Sequence, residues 1–562
     1  IHFIAPFNQV IQPGSLPDSI TIMDLDNTFD QPLDIGALPN SLRHLLIRGS
    51  YLYDLKPGVL PQSLTTLECR GAINVEIMEG SLPQSLETLV LCGFNRDITP
   101  GLLPKSLTYL MLSSFDHELH PGSLSSSLTS LTLGDSFNRV IQRGVLLPES
   151  LTELSFESTF NQTILPDSLP SSLNSLNLSS DFNQPLLPRA LPHSLKSLLF
   201  AFSYNQEFKP NVLPSSLTEL FLGESFDRPL PAHVLPSSLT MLTLQCERYE
   251  QELILPPSVH TLHTCQAIPS PSVPSALQRL QIYGDDRDLD PRILPQSIRH
   301  LLVEGCLLQP GPLPPSITLL NICSHEPITF DIGSLPASLT TLFVNRTTTE
   351  PFSVGCLPTR LTTLKIVGGC NQRMLPGYLP QSLTKLAIGS SQYNPFTDGS
   401  IPESLVDLTC RNWNLETGQV IRASSLQSLQ SSVEYTSHLP VSIKDFHILE
   451  LVDRYSFEKV IIGLPSDVRQ LQKVTVRVKD EDTLFRLMVA IPNVQEIIMT
   501  MGFSQWRVRP IDPAKGLALI IVEEEFKGYG GYVLSFSIRN QVQQHHHHNP
   551  GVTRWAFIKR SN

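Results

Sequence analysis

The sequence is short of charge. Only 16% of its 562 residues are Asp, Glu, Lys or Arg, and the balance is acidic, with 40 basic side chains against 52 acidic and a formal net charge of −12. A chain that lives on phosphate contacts needs a basic face, so neither nucleic acid nor an anionic membrane is expected as a partner. Long apolar runs are missing as well: no stretch reaches the roughly eighteen residues that a transmembrane helix requires. Cysteine is sparse and odd in number, nine residues at 69, 92, 246, 265, 306, 323, 356, 370 and 410. A secreted disulfide scaffold uses a dense, even set. Reduced thiols, and with them a cytoplasmic location, are the expectation. No leader with a basic start and an apolar centre opens the sequence at Ile1. The three N-x-Ser/Thr sequons, at Asn161, Asn177 and Asn345, fall on residue types that recur along the chain and carry little weight.

Motifs of catalysis are absent too. There is no G-x-S-x-G, no H-E-x-x-H, no P-loop and no C-x-x-C. No enzyme activity and no cofactor are therefore expected. Gly528-Tyr529-Gly530-Gly531 reads as a turn. The best metal candidate is His260, His263 and Cys265, in which His263 and Cys265 share one face of a strand while His260 is offset. Zinc wants three or four ligands and no fourth is near, so no metal is expected. The histidines of Gln543 to His548 belong to a low-complexity tail.

What the chain does have is repetition. Forty-seven prolines bias the composition, and a hydrophobic content of 41% sets it apart from a disordered polymer. A Leu-Pro step followed by x-Ser-Leu-x-x-Leu-x-Leu begins at Leu16, Leu38, Leu60, Leu82, Leu103, Leu124 (where Ser125 replaces the proline), Leu147, Leu169, Leu191, Leu213 and Leu235. Variants of it continue at Leu255, Val273, Leu294, Leu313, Leu335, Leu357, Leu379, Ile401 and Leu439. That is about twenty copies, mostly of a 22-residue unit, the signature of a solenoid. In Ser63-Leu64-Thr65-Thr66-Leu67-Glu68-Cys69 the last apolar residues alternate with polar ones, as a half-buried strand requires. One strand per unit stacks into a parallel sheet. Proline, with fixed φ and no N–H, belongs on the return side, where extended or 3₁₀ segments are expected.

Nine residues before the anchor stands a second signature: Phe7-Asn8, Phe29-Asp30, Phe94-Asn95, Phe115-Asp116, Phe137-Asn138, Phe160-Asn161, Phe182-Asn183, Tyr204-Asn205 and Phe226-Asp227. A ring at one place in every coil predicts a stacked spine. The neighbouring Asn or Asp is expected to satisfy backbone groups in the turn.

Phe182-Asn183-Gln184-Pro185-Leu186, followed by Leu191-Pro192-His193-Ser194-Leu195, resembles the FNIP repeat, a leucine-rich-repeat relative abundant in social amoebae and some giant viruses. The resemblance implies a solenoid with a concave parallel sheet. It also implies company: such repeats often follow an F-box-like segment or accompany a kinase domain. Residues 1–562 show neither, lacking a glycine-rich loop with its downstream Lys and an HRD loop.

The predicted fold is thus a leucine-rich-repeat-like solenoid over 1–445, irregular at 236–335, with a curved parallel β-sheet on its concave face and short return segments. An α+β cap is expected over 446–540 and a polar His-rich tail over 541–562. In the cap, Lys473 to Val478 and Val494 to Met499 read as strands, Asp480 to Ala490 as a helix, and Leu517 to Val522 with Tyr532 to Ile538 as a hairpin. The expected function is a non-catalytic scaffold that binds a protein on the concave face, with substrate recognition for an F-box-type ubiquitin ligase as its narrower form. The alternative is a structural, self-associating repeat protein. On the concave face most positions hold small polar residues, so Tyr109, Phe221, Arg279, Tyr283 and Phe343 stand out as contact anchors, being of the types that dominate interfaces.

Overall fold

In the computed structural model the repeat becomes a ladder. The structure describes residues 7–142, 147–231, 233–246, 249, 251–265, 274–284, 288–324, 328–345, 347–367, 374–389, 396–397, 399–410, 425–431, 443–452, 472–478, 496–501, 504–512, 517–523, 533–538 and 555–557. They form two compact units, Ile1–Gly284 and Asp285–Asn562.

In the first unit thirteen short strands, from Ile22–Leu25 to Arg279–Tyr283, pair in parallel with the strand of the next coil. The register follows the repeat: Leu45 faces Leu67, Leu67 faces Leu89, and Leu89 faces Leu110. These leucines, with Leu42, Leu64 and Leu86 at the strand entry, are almost wholly buried. Each contributes about 1.5–3 kcal/mol by leaving water. A one-residue slip would turn every one of them outward, so the apolar alternation fixes the register.

The Leu-Pro step makes the turn into each strand. The carbonyl of Pro39 accepts from Leu42 N at 3.0 Å and that of Pro61 accepts from Leu64 N at 3.0 Å, and the pattern recurs along the unit. Proline loses nothing here, since its missing N–H is not called upon. The serine that recurs in most copies of the motif has a task that the sequence reading did not assign. Its hydroxyl donates to the carbonyl of the core residue at the strand entry one coil earlier: Ser63 Oγ to Leu42 O, Ser85 Oγ to Leu64 O, Ser172 Oγ to Leu151 O and Ser194 Oγ to Leu173 O, at 2.6 to 2.7 Å. A buried carbonyl at the coil junction is thereby satisfied.

The aromatic signature forms the expected spine. Phe115, Phe137, Phe160, Phe182, Tyr204, Phe226 and Tyr249 stack in series with ring centroids 5.9 to 6.3 Å apart and nearly parallel planes. Tyr249 keeps the series going where the Phe-Asn pair has ended. The Asn beside each ring works one coil away rather than in its own turn. Asn161 Oδ1 accepts from Asn183 N, and Asn183 Oδ1 accepts from Asn205 N, each at 3.0 Å. The Gln that follows adds a second donor, Gln184 Nε2 to Asn161 Oδ1 at 3.1 Å. Only the side-chain oxygen is used, which explains why Asp replaces Asn freely in this column.

Two tyrosines in the spine are not equivalent. Tyr249 donates its hydroxyl to Arg228 O at 3.0 Å, whereas the buried Tyr204 hydroxyl has no hydrogen-bond partner among the described residues. An unsatisfied buried hydroxyl costs stability, while a net hydrogen bond contributes about 0.5–1.5 kcal/mol. Tyr204→Phe is therefore expected to leave the unfolding free energy, read by denaturant titration, unchanged or raise it, and Tyr249→Phe to lower it by about 1 kcal/mol. Equal losses in the two variants would contradict this assignment.

In the second unit the strands His300–Glu304, Leu319–Cys323, Thr341–Val344, Thr363–Ile366, Lys385–Ile388, Asp407–Cys410 and Ser428–Ser431 pair in parallel, one per coil. Where the spacing shortens, the return side acquires structure of its own. Pro291–Ile293 is a 3₁₀ turn capped by Asp290, and Asp288–Leu289 pairs with Leu307–Leu308. Ile328–Phe330 pairs with Thr347–Phe352, and Phe330 stacks on Phe352 at 5.7 Å. Asp445–Val452, Lys473–Val478 and Glu496–Met501 extend the parallel ladder. Ser504–Asp512, Leu517–Glu523, Val533–Ile538 and Trp555–Phe557 then follow as an antiparallel meander. The helix expected over 480–490 lies outside the described residues, as do Gly528 to Gly531 and the His-rich tail.

Candidate functional site

Each ladder strand buries two alternate side chains and turns the others to the solvent face, where in-register pairing lines them up in columns. One column runs Thr88, Tyr109, Ser130, Glu153, Ser175, Ser197, Glu219, Met241. Beside it run Val90, Met111, Thr132, Ser155, Asn177, Leu199, Phe221, Thr243 and His263. Most of these residues are half-buried rather than exposed, because neighbours in a parallel sheet stand only about 4.8 Å away and shield one another.

All five sequence-predicted anchors stand at outward strand positions, four in the first unit and Phe343 in the second. Tyr109 lies between Thr88 and Ser130, and its hydroxyl is 4.0 Å from Met111 Sδ. Phe221 lies between Leu199 and Thr243. Arg279 and Tyr283 share one strand, Arg279 exposed beside Thr261 and Tyr283 donating to Leu244 O. Phe343 belongs to the second unit, between Asn321 and Lys365. Within the first unit the anchors do not form one cluster: Tyr109 and Phe221 are five strands apart, about 24 Å at the usual strand spacing. What the sequence reading missed is the company Phe221 keeps. Leu199 is its register partner and Met241 stands on the next strand. The repeat frame alone could have placed Leu199 and Met241 beside Phe221.

The face has a charged end. Near its first coils Arg48 makes a two-pronged bond to Asp24, Nε to Oδ1 at 2.9 Å and Nη2 to Oδ2 at 2.8 Å, with Asp24 largely buried. Desolvation pulls the His44 imidazole below its ordinary pKa, helped by Arg43 and opposed by Glu68. At the exit of the strand Glu153–Phe156, burial and then the Asp135 carboxylate push Glu157 above the usual carboxylate range. A carboxyl raised on folding holds its proton longer in the folded state, so stability falls as pH climbs from the ordinary Glu range through the raised value. Glu157→Gln removes that penalty. Its unfolding midpoint is expected to exceed the parent's at pH 7 and to match it at pH 3, where both side chains are neutral; a gain that persisted undiminished at pH 3 would refute the electrostatic cause.

The metal candidates do not converge. His263 Nδ1 lies 3.3 Å from Thr243 Oγ1 and His260 Nδ1 lies 3.2 Å from Thr261 Oγ1. Cys265 is buried against Cys246, with 3.6 Å between the sulfurs. Among the described residues no group of three or more His, Cys, Asp or Glu is placed to hold a metal ion. Burial pushes the Cys69 thiol up to about 12. Among the described residues no helix is long and apolar enough to cross a membrane.

Comparison with known proteins agrees with this architecture. The model of the FNIP Repeat family matches residues 7–50, 29–69, 51–93, 74–115, 115–159, 160–203, 204–247, 350–391 and 370–409, together just over half of the chain. Among solved structures, the chain is similar to CroV588, a giant-virus protein described as a novel circular LRR protein structure. The two are 28% identical, the match covers 84% of this chain and 81% of that one, and the TM-score is 0.60. InlJ from Listeria monocytogenes, described as including a cysteine ladder, matches at 15% identity over 71% of this chain and 76% of its own, with a TM-score of 0.31. A chain of the Toll–Spätzle complex from Drosophila matches at 13% identity over 85% of each, with a TM-score of 0.32. No curated protein matches the sequence. With repeat after repeat in phase and the ladder that they build, the chain belongs to the FNIP repeat family.

Proposed function

We propose that this chain is a non-catalytic scaffold that binds a protein partner on the solvent face of its parallel sheet. The observation that carries the reading is the columnar face itself. In the two columns about half of the outward positions hold Ser, Thr or Asn, and large apolar side chains break through at Tyr109 with Met111 and at Leu199 with Phe221, as Phe343 does in the second unit. Isolated large residues on small polar ground are how protein interfaces concentrate their binding free energy. Arg279 and Tyr283 extend the same face in the first unit. A narrower form, in which the bound protein is a substrate of an F-box-type ubiquitin ligase, rests on the family resemblance alone. A cytoplasmic location belongs to the same proposal and rests on the sparse, odd set of nine cysteines.

The test is affinity purification from the source cell of the parent chain and of a Tyr109→Ala/Phe221→Ala/Phe343→Ala variant, with quantitative mass spectrometry. Tyr283 is left intact because its hydroxyl bonds the Leu244 carbonyl. A protein recovered with the parent and lost from the variant is the expected result, and ubiquitin-ligase core subunits among the recovered proteins would carry the narrower form. Recovery of the chain alone, unaffected by the substitutions, would favour self-association instead. The division into a solenoid over 1–445, a cap over 446–540 and a tail over 541–562 belongs to the same proposal. Limited proteolysis should cut first near 445 and 540, and first cuts within the strands Ile22–Leu25 to Ser428–Ser431 would overturn it.

A further inference from the structure

We propose that the solvent face between the strands Glu153–Phe156 and Met241–Leu244 docks an extended, basic segment of a partner protein that carries an apolar side chain between two cations. The proposal deepens the scaffold reading and rests on it.

The columns supply the pattern. Glu153 and Glu219 stand in one column, both exposed, with Ser175 and Ser197 between them. Three strand spacings separate the two carboxylates, about 14 Å. In the adjacent column Leu199 and Phe221 lie side by side as register partners. Met241, on the next strand, widens the apolar ground. The floor on the other side is small and polar: Ser175, Asn177 and Ser197. No Lys or Arg occupies the outward positions of these five strands, and Lys196 stands at a strand entry, outside both columns. The surface is therefore an apolar step flanked by carboxylates with no internal cation to neutralise them.

Charge selects the occupant. The chain carries a formal charge of −12, so a second copy would bring like charge to this face. Lys or Arg on the incoming segment complements Glu153 and Glu219, and Arg can pair with a carboxylate through two parallel bonds. An extended chain rises about 3.3 Å per residue, so about 14 Å corresponds to four residues. A segment laid along the columns, across the strands, would place cations four residues apart, with its apolar side chain over Leu199 and Phe221. Glu157, held above the usual carboxylate range beside Asp135, sits at the rim of the same region and would also gain from a cation.

The test uses the full chain and a labelled peptide, Ser-Arg-Ser-Ser-Leu-Arg-Ser, read by fluorescence anisotropy. Saturable binding is expected, weakening about tenfold when the peptide's Leu becomes Ser, and weakening as salt rises, as exposed charge pairs do. Replacing both peptide Arg by Glu should abolish it. Glu153→Gln/Glu219→Gln, two exposed substitutions that leave the core alone, should weaken binding about tenfold, and Phe221→Ser likewise. Tyr109→Ser, five strands away, should not. Binding insensitive to Glu153→Gln/Glu219→Gln, or equally tight for the acidic peptide, would overturn the proposal. If the cellular partner instead depends on Tyr109 or Phe343 and not on these residues, this docking site fails while the scaffold reading stands. If the partner depends on no solvent-face residue, both fail.

Discussion

Phe182→Ala is expected to cost about 3–5 kcal/mol, the range for truncating a large buried aromatic, and to do so locally. Phe182 is 1% exposed, stacks on Phe160 at 6.0 Å and Tyr204 at 5.9 Å, and tilts against Phe200 at 6.2 Å. Removing the ring leaves a hole that neighbouring coils cannot fill, because each is held in place by its own hydrogen-bond ladder. In a repeat array such a loss falls on the coil and its two neighbours rather than on the whole molecule. Hydrogen exchange should therefore speed up in the strands Glu153–Phe156 to Glu219–Leu222 and stay unchanged in the strands Ile22–Leu25 to Thr66–Cys69. Thr66→Ala, on the solvent face, should change neither by more than about 0.5 kcal/mol. Equal effects of the two substitutions would mean that the register is wrong.

Gly223→Ala is expected to be comparably severe, about 3 kcal/mol or more, for a different reason. A Cβ built at Gly223 would lie 1.3 Å from the carbonyl oxygen of Ala201 and 2.4 Å from its carbon. Both are backbone atoms of the preceding coil, so no side-chain rotation relieves the clash and the ladder itself must shift. Gly71 meets the Gly49 carbonyl in the same way, at 2.1 Å. These glycines stand just past the strand, where one coil's backbone crosses closest to the next. Gly333 makes the control: a Cβ there meets nothing within 4 Å, and only its left-handed φ of +86° is at stake. Gly333→Ala should cost about 1–2 kcal/mol. Exchange rates in the strands Ser197–Phe200 and Glu219–Leu222 read the first effect. A Gly223→Ala chain as stable as Gly333→Ala would show that the coils can separate more easily than this packing implies.

Much of this architecture was legible because repetition turns one coil's physics into twenty repetitions of the same statement. The alternation in Thr66-Leu67-Glu68-Cys69 named the buried face, and the recurrence of Phe-Asn named the spine. Other parts needed the third dimension. Ser172 bonds Leu151 O, and Asn183 bonds the backbone of Asn205, one coil away in each case. A single sequence shows that these residues recur but not across which junction they reach. Gly223 is similar: its spacing is visible, but the Ala201 carbonyl beneath it is not. Tyr249 was hidden by the loss of its Asn partner and by a shortened coil, yet it stacks on Phe226 at 6.3 Å. At the candidate site the repeat frame gave Tyr109, Phe221, Arg279, Tyr283 and Phe343 the correct face. It did not rank them, because the surroundings of Phe221 depend on which residues stand in adjacent columns.

The central claim is that the solvent face of the sheet is where this protein meets its partner. Hydroxyl-radical footprinting of the purified chain, alone and with the recovered partner bound, measures that directly. The account predicts that oxidation of Met111, Phe221 and Met241 falls on binding, while that of Ile35, Leu52 and Ile332, which project from the return side with 67%, 68% and 72% exposure, stays the same. Protection of Ile35, Leu52 or Ile332 with Met111, Phe221 and Met241 left unchanged would contradict it.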